Sequence, residues 1–166
     1  MKRWVFFVLI ALALAAVAVI VGVTQIKLDA LAEPGQVETF LATQVKHLLI
    51  HRSSREGIPP APTNVQASVE EGGKLYATDC SMCHGSDGHS PTDFGRWMYP
   101  RASDLTSSLV QNYSDRELFW IVKNGIRLSG MPAFGRVESD EHIWDLVRHV
   151  RTLRGTAPEE SHGAAH

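Results

Sequence analysis

The pattern of apolar and polar positions divides the chain into stretches of different character, and the first is strongly apolar. Residues 4–23 form an uncharged, almost wholly apolar run that follows Met1, Lys2 and Arg3. As a helix rising ~1.5 Å per residue, this run is about 30 Å long, which matches the hydrocarbon core of a bilayer. The pattern predicts a transmembrane anchor within residues 1–26, with Lys2 and Arg3 on the cytoplasmic side.

A cleaved signal peptide is the alternative interpretation of this N-terminal run. The apolar core of a signal peptide is usually about 7–15 residues long, and the longer run here favours a retained anchor. The segment Ala30-Leu31-Ala32 resembles a small-residue cleavage site, although it lies rather far from the apolar run. Both interpretations place the rest of the chain on the exported side of the membrane.

A second apolar pattern, at helical spacing, occurs within 34–55. Its apolar positions are Val37, Phe40, Leu41, Val45, Leu48 and Leu49. They predict an amphipathic helix that lies on a membrane surface or docks onto a partner subunit. Ordinary packing on the globular domain is the alternative. The proline-rich segment 57–62 predicts a semi-rigid spacer, so residues 27–67 are predicted to be an amphipathic helix and a linker.

Residues 68–155 are predicted to form a compact all-α domain. The spacing of apolar residues predicts three helices, over 69–78, from Ser114 to Asn124, and from about Ser139 onwards. Ser114 and Glu117 predict a capping box at the start of the middle helix, and Gly125 predicts its end. No alternating apolar pattern of strand length occurs in this part of the sequence.

The length of the chain and its net charge limit the classes of protein to which it can belong. A chain of 166 residues suits one folded domain with appendages. The net charge of −2 gives no basis for nucleic-acid binding by bulk charge. The tail, residues 156–166, is small and polar, and we expect it to be disordered.

The two cysteines of the chain both lie in the segment Cys80-Ser81-Met82-Cys83-His84. In a C-x-x-C-H motif each thiol can form a thioether to a haem vinyl group, and the histidine then binds the iron. A structural zinc site needs further ligands at defined spacing, and a thioredoxin-type pair needs a βαβ pattern; the sequence has neither. A disulfide would close a tiny loop and stabilise little. The motif predicts one covalently attached haem c.

The second axial ligand of the iron is predicted to be a methionine. Met131 lies in the turn segment Gly130-Met131-Pro132, far enough along the chain to return over the haem. Met98 is the second candidate, whereas Met82 is tied to the proximal side by its place in the motif. With histidine and methionine both bound, the iron has no open position for a substrate, which favours electron transfer over catalysis at the metal.

These features together resemble class I c-type cytochromes. The resemblance covers residues 68–155 and rests on Cys80 to Gly85, on Gly73 and Tyr76 in the preceding helix, on Gly130-Met131-Pro132, and on Ile143-Trp144 in the closing helix. It implies a fold in which the first and last helices cross closely at Gly73, Tyr76 and Trp144. It also implies that His84 and Met131 are the axial pair.

The resemblance further implies that the segment 99–105 surrounds the haem propionates. Arg101 is then a candidate partner for a propionate, because a guanidinium group matches the geometry of a carboxylate. Trp97 is a candidate donor through its indole N–H.

The predicted function is that of a membrane-tethered monohaem electron carrier. It would pass single electrons between respiratory or photosynthetic complexes, with its single-pass anchor in the cytoplasmic membrane and its haem domain in the periplasm. Its partners would be redox proteins and membrane lipid, with no small-molecule substrate. Two alternatives remain, namely a cytochrome subunit of a larger membrane oxidoreductase complex, and a five-coordinate haem enzyme or gas sensor in which Met131 does not bind the iron.

Overall fold

The computed structural model describes residues 2–24 and 34–155, and within them the chain forms eight α-helices and one 3-10 helix. The α-helices are α1 (Lys2–Thr24), α2 (Gln36–Ser53), α3 (Val65–Asp79), α4 (Ser81–His84), α5 (Asp93–Trp97), α6 (Ser108–Gln111), α7 (Asp115–Asn124) and α8 (Asp140–Thr152). The 3-10 helix, Phe134–Arg136, lies between α7 and α8. The described residues contain no strand, which confirms the all-α prediction. The tail 156–166 lies outside the described residues.

The N-terminal helix α1 forms a compact unit separate from the one that begins at Pro34. Its segment Arg3–Thr24 has a mean hydropathy of 3.1, and none of it is buried within the protein. By length and composition α1 is able to cross a membrane. A signal sequence near an N-terminus passes the same test, and retention of α1 as an anchor stays a prediction.

The ends of α7 form as the sequence predicts. The Ser114 side chain accepts a hydrogen bond from the backbone N–H of Glu117, and the Glu117 carboxylate accepts one from the N–H of Ser114, which confirms the capping box. Gly125 ends the helix with a φ of 66°. Asn64 and Ser139 cap α3 and α8 in a similar way, because their side chains accept from the first turn of each helix.

Close packing of α3 against α8 forms the centre of the domain. A Cβ atom at Gly72 would lie 2.0 Å from the backbone oxygen of Asp145, so only glycine allows this crossing. Gly73, the glycine predicted from the sequence, also lies at this crossing, because a Cβ atom there would be 3.3 Å from Nδ1 of His149 in α8. Tyr76 packs against the His149 ring in a tilted arrangement, with 5.0 Å between centroids.

The hydrophobic core extends from α8 to α7. The largest fully buried side chains are Phe119, Ile143, Leu146 and Val147. Trp144 packs on Phe119, with ring centroids 4.7 Å apart, and this contact joins α8 to α7. A contribution of Trp144 to the crossing of α3 and α8 stays a prediction. Helices α7 and α8 form one wall of the cavity described below.

One face of α2 packs on this core, while its predicted apolar stripe does not. Ile50 is buried in the same cluster as Tyr113, and the His47 ring stacks on Tyr113 at 4.6 Å between centroids. His51 Nδ1 lies 3.1 Å from a carboxylate oxygen of Glu117. The predicted stripe, whose members are 54–73% exposed, consists of Val37, Phe40, Leu41, Val45, Leu48 and Leu49. The helix therefore has one face in the core and one apolar face towards solvent.

The proline-rich segment lies along α8. The backbone oxygen of Pro59 accepts a hydrogen bond of 3.1 Å from Trp144 Nε1, and that of Pro62 accepts one from Arg148. These contacts tie the segment to the helical core, although the sequence predicted a spacer that separates two elements. The domain limit near residue 68 stays a prediction.

Candidate cofactor site

The two cysteines and the histidine of the motif lie on a single helical turn. Cys80 caps α4, and its backbone oxygen accepts hydrogen bonds from the N–H groups of Cys83 (3.1 Å) and His84 (2.9 Å). Residues three and four apart are neighbours on a helix surface, so Cys80 lies close to both Cys83 and His84. Cys80 and His84 line the cavity described below, whereas Cys83 is not part of its lining. This arrangement suits attachment of one flat group by two thioethers, with the imidazole beneath it.

The thiols show no sign of a redox-active pair. Neither cysteine is in a disulfide. Burial raises the pKa of Cys80 to about 12, and burial also raises the pKa of Cys83. A reactive cysteine needs a depressed pKa, because the thiolate is the nucleophile. The raised pKa values of the two thiols therefore do not favour a thioredoxin-type function.

The His84 ring is oriented for metal binding through Nε2. Its Nδ1 atom lies 2.8 Å from the backbone oxygen of Ser103. Because a carbonyl oxygen only accepts, Nδ1 carries the hydrogen and Nε2 keeps the lone pair that a metal requires. Burial lowers the pKa of His84, which favours the neutral imidazole.

Three interactions, one with α3 and two with α5 and its N-cap residue, hold α4 in place. The Tyr76 hydroxyl donates a hydrogen bond of 2.7 Å to the oxygen of Gly85, directly after His84. On the other side, a Cβ atom at Gly95 of α5 would lie 2.1 Å from the oxygen of Cys83. The Thr92 hydroxyl donates to the oxygen of Met82 at 2.5 Å. Sequence analysis missed the contribution of α5, because a five-residue helix has no apolar period to detect.

Cys80, His84 and Met131 line the same cavity. The apolar part of its lining consists of Leu105, Leu109, Val110, Leu118, Ile121, Val122, Ile126, Leu146, Val147 and Val150. A thiol, an imidazole and a thioether within an apolar cavity are the donor set that fits a covalently bound haem, since they supply a thioether link and soft and intermediate iron ligands. The residues present therefore fit this cofactor.

The Met131 segment is fixed against the end of α7. A Cβ atom at Gly125 would lie 2.7 Å from the backbone oxygen of Met131, and Ile126 N donates to that oxygen at 3.4 Å. Met98 packs against Gly130, since a Cβ atom added at Gly130 would lie 2.6 Å from the Met98 sulfur. Met131 belongs to the cavity lining and Met98 does not, which agrees with the order of the two candidates.

Arg101 and Trp97 are not part of the cavity lining. Arg101 is exposed, and Trp97, the last residue of α5, is 72% exposed. Their contacts with propionates stay predictions that follow from the resemblance. Lys46 of α2 and Tyr113, by contrast, line the cavity although neither was predicted as a site residue. No sequence signal indicates Lys46, because a lysine within an amphipathic helix normally marks a solvated face.

A second cavity, about 460 Å³ in volume, lies between the linker, α3 and α8. Its lining includes four acidic residues, namely Glu70, Glu71, Glu141 and Asp145. Asp145 is buried and accepts a hydrogen bond from the Ser68 hydroxyl. A cavity with this many carboxylates is unsuited to the apolar faces of a porphyrin, and it contains neither a cysteine nor a methionine.

Comparison with known proteins shows the family to which the chain belongs. The chain is similar to a solved structure, the KustC0563 c-type cytochrome, with 31% sequence identity and a TM-score of 0.45. The match covers 50% of this chain and 96% of the KustC0563 chain. Among curated proteins, none matches the chain. Residues 67–150 match the family model described as cytochrome c oxidase, cbb3-type, subunit III. Since that match spans half of the chain, the chain belongs to this family and is a c-type cytochrome, an electron-transfer protein with covalently bound haem c.

Proposed function

We propose that the chain is a membrane-tethered monohaem cytochrome that carries single electrons between respiratory or photosynthetic complexes. In this proposal α1 is retained as a single-pass anchor in the cytoplasmic membrane, and the haem domain lies in the periplasm. His84 and Met131 are the axial ligands of the iron. The partners are redox proteins, with no nucleic acid and no small-molecule substrate.

The observation that carries this proposal is the shared cavity of Cys80, His84 and Met131. His84 and Met131 would together leave no open coordination position on the iron, which would favour electron transfer without binding of a substrate. The haem supplies the one-electron chemistry, and the protein residues attach it, orient the imidazole and exclude water. The thioether and the apolar lining both favour the ferrous state, which raises the reduction potential.

Optical spectra of the full-length, haem-loaded protein in mild detergent test the axial assignment. We expect the ferric protein to show a sulfur-to-iron charge-transfer band, and the ferrous protein to show no rapid change with carbon monoxide. A rapid change without denaturant would contradict the proposal and support the five-coordinate enzyme or sensor. The intact mass of the membrane-bound protein reports in the same preparation whether the N-terminal segment is retained.

A second candidate function is that of a cytochrome subunit in a larger membrane oxidoreductase complex. The family to which the chain belongs is described as an oxidase subunit. The six exposed apolar residues of α2 also favour this candidate, because a contiguous exposed apolar patch commonly marks an interaction site. In this case the haem chemistry is unchanged and only the partner differs.

Substitutions in the exposed stripe distinguish the two candidates. If the chain is a subunit, the double substitution Leu41→Ser and Leu48→Ser should release it from the complex after gentle detergent extraction. The optical spectrum and the unfolding midpoint should not change, because both side chains are more than half exposed. Val137→Ser is the matched control, since Val137 is 76% exposed but lies outside α2. A wild-type protein that already migrates alone supports the free carrier.

A further inference from the structure

The inner face of α2 brings polar side chains to the haem cavity. This helix lies outside residues 67–150, which match the family model. Lys46 and Tyr113 both line the cavity, and the ring of His47 stacks on Tyr113 with 4.6 Å between centroids. An ammonium group at an otherwise apolar surface needs a partner, because burial of an unpaired charge is costly.

Two side chains of this cluster have buried polar atoms without a partner among the described residues. They are the hydroxyl of Tyr113, a residue that is 9% exposed, and Nε2 of His47. Burial also lowers the pKa of Lys46, as expected for an ammonium group that has lost water. Buried polar groups in native proteins are almost always hydrogen-bonded. Of the three side chains, those of Lys46 and Tyr113 line the cavity, and both can donate, so a group that satisfies both is an anionic acceptor such as a carboxylate.

The contacts of α2 place this cluster away from the methionine ligand. Tyr113 directly precedes the N-terminal cap of α7, and His51 binds Glu117 in the first turn of that helix. Met131 lies against Gly125, at the opposite end of α7. A helix of ten residues is about 15 Å long, so Tyr113 and Met131 lie near opposite ends of α7.

A further contact connects the first turn of α2 to the segment 99–105. The hydroxyl of Tyr99 donates a hydrogen bond of 2.6 Å to the carboxylate of Glu38, in the first turn of α2. The helix therefore extends from this segment towards the N-terminal end of α7. Lys46 lies between these two attachment points.

We propose that Lys46 and Tyr113 bind a haem propionate, with the ring of His47 packed on Tyr113. Lys46 supplies the charge, and the Tyr113 hydroxyl supplies a hydrogen bond. The proposal rests on the proposed function in one respect, namely that the haem occupies this cavity. It makes α2 a part of the cofactor site, although the family domain does not include that helix.

This arrangement gives α2 an influence on the reduction potential. Ferric haem carries one more positive charge than ferrous haem, so a nearby cation favours the ferrous state. A propionate has the opposite effect, and Lys46 offsets it. Removal of the lysine charge should therefore lower the midpoint potential, and replacement by another cation should not.

Potentiometric titration of the full-length, haem-loaded protein tests the proposal. We expect Lys46→Met to shift the midpoint potential downwards, and Lys46→Arg to leave it close to the wild-type value. Tyr113→Phe should shift it in the same direction by a smaller amount. Lys74→Met is the matched control, because Lys74 is exposed and paired with Glu71 at 2.9 Å, and it does not line the cavity.

Equal midpoint potentials for Lys46→Met and Lys74→Met would overturn the proposal. The resonance Raman spectrum gives a second test, because the proposal also fails if neither Lys46→Met nor Tyr113→Phe alters the propionate bending mode. If Lys46→Met does not mature, the midpoint potentials of Lys46→Arg, Tyr113→Phe and the wild type are compared instead. The proposal then requires a lower potential in Tyr113→Phe than in the other two proteins. Failure of the proposed axial ligation is recognised separately, because the ferric sulfur-to-iron band is then absent from the wild-type protein itself.

Discussion

Replacing Met131 with alanine is expected to remove the ferric sulfur-to-iron absorption band while the haem stays attached through Cys80 and Cys83. The midpoint potential should fall by on the order of 0.1–0.3 V, since axial ligands set haem potentials over a range of about 0.8 V. The ferrous variant should bind carbon monoxide rapidly, because the iron gains an open position. Spectra in both oxidation states and a redox titration measure all three effects.

Two other methionines provide the controls for this substitution. Met82 is 62% exposed, so Met82→Ala should leave the band and the potential unchanged. Met98→Ala tests the second ligand candidate directly, and we expect the band to persist because Met98 is not part of the cavity lining. Persistence of the band in Met131→Ala together with its loss in Met98→Ala would assign the iron ligand to Met98 instead.

The features that the sequence predicted correctly depend on residues close together in the chain. The spacing of Cys80, Cys83 and His84 determines by helical geometry that they share one turn. The capping box of Ser114 and Glu117 likewise involves one helical turn, and it formed as expected. Such local signals need no knowledge of the tertiary structure.

The features that the sequence did not predict depend on how helices meet. Gly72 and Gly73 are adjacent and equally small, and only the rotation of α3 against α8 determines which of them contacts the Asp145 backbone. Lys46 could not be recognised for the same reason. The sequence showed the apolar stripe of α2 clearly, and that stripe is the face that does not enter the core. A hydrophobic pattern identifies a helix face, but it does not identify the surface that covers it.

The position of Met131 depends both on local sequence signals and on tertiary contacts. The turn residues around it predicted a loop rather than a core helix, and the structure agrees. What holds that loop beside the cavity is Gly125, which the sequence indicated only as a helix terminator. Gly125 has φ 66° and ψ −173°, a region that essentially only glycine adopts. The same residue thus ends α7 and gives room to the backbone of Met131 and Pro132.

Gly125→Ala is therefore expected to disturb the ligand loop as well as the stability of the fold. The new Cβ atom would lie 2.7 Å from the backbone oxygens of Met131 and Pro132, and the backbone angles would be strained. We expect the free energy of unfolding to fall by about 2–6 kcal/mol, because strain and overpacking each cost roughly 1–3 kcal/mol. The sulfur-to-iron band should weaken while the haem stays attached, since α4 is not touched.

Gly57→Ala separates the effect of backbone strain from the effect of contact with the loop. Gly57 also has a positive φ, 72°, but a Cβ atom there would meet nothing within 4 Å. We expect this control to cost only the strain, about 1–2 kcal/mol, and to keep the full ferric band. Denaturant unfolding of both ferric variants, followed at the haem absorption and in the sulfur-to-iron band, gives the two quantities together. If the two variants lost equal stability and both kept the band, the Gly125 contact would have no part in positioning Met131, and the methionine loop would owe its place to the bond with the iron.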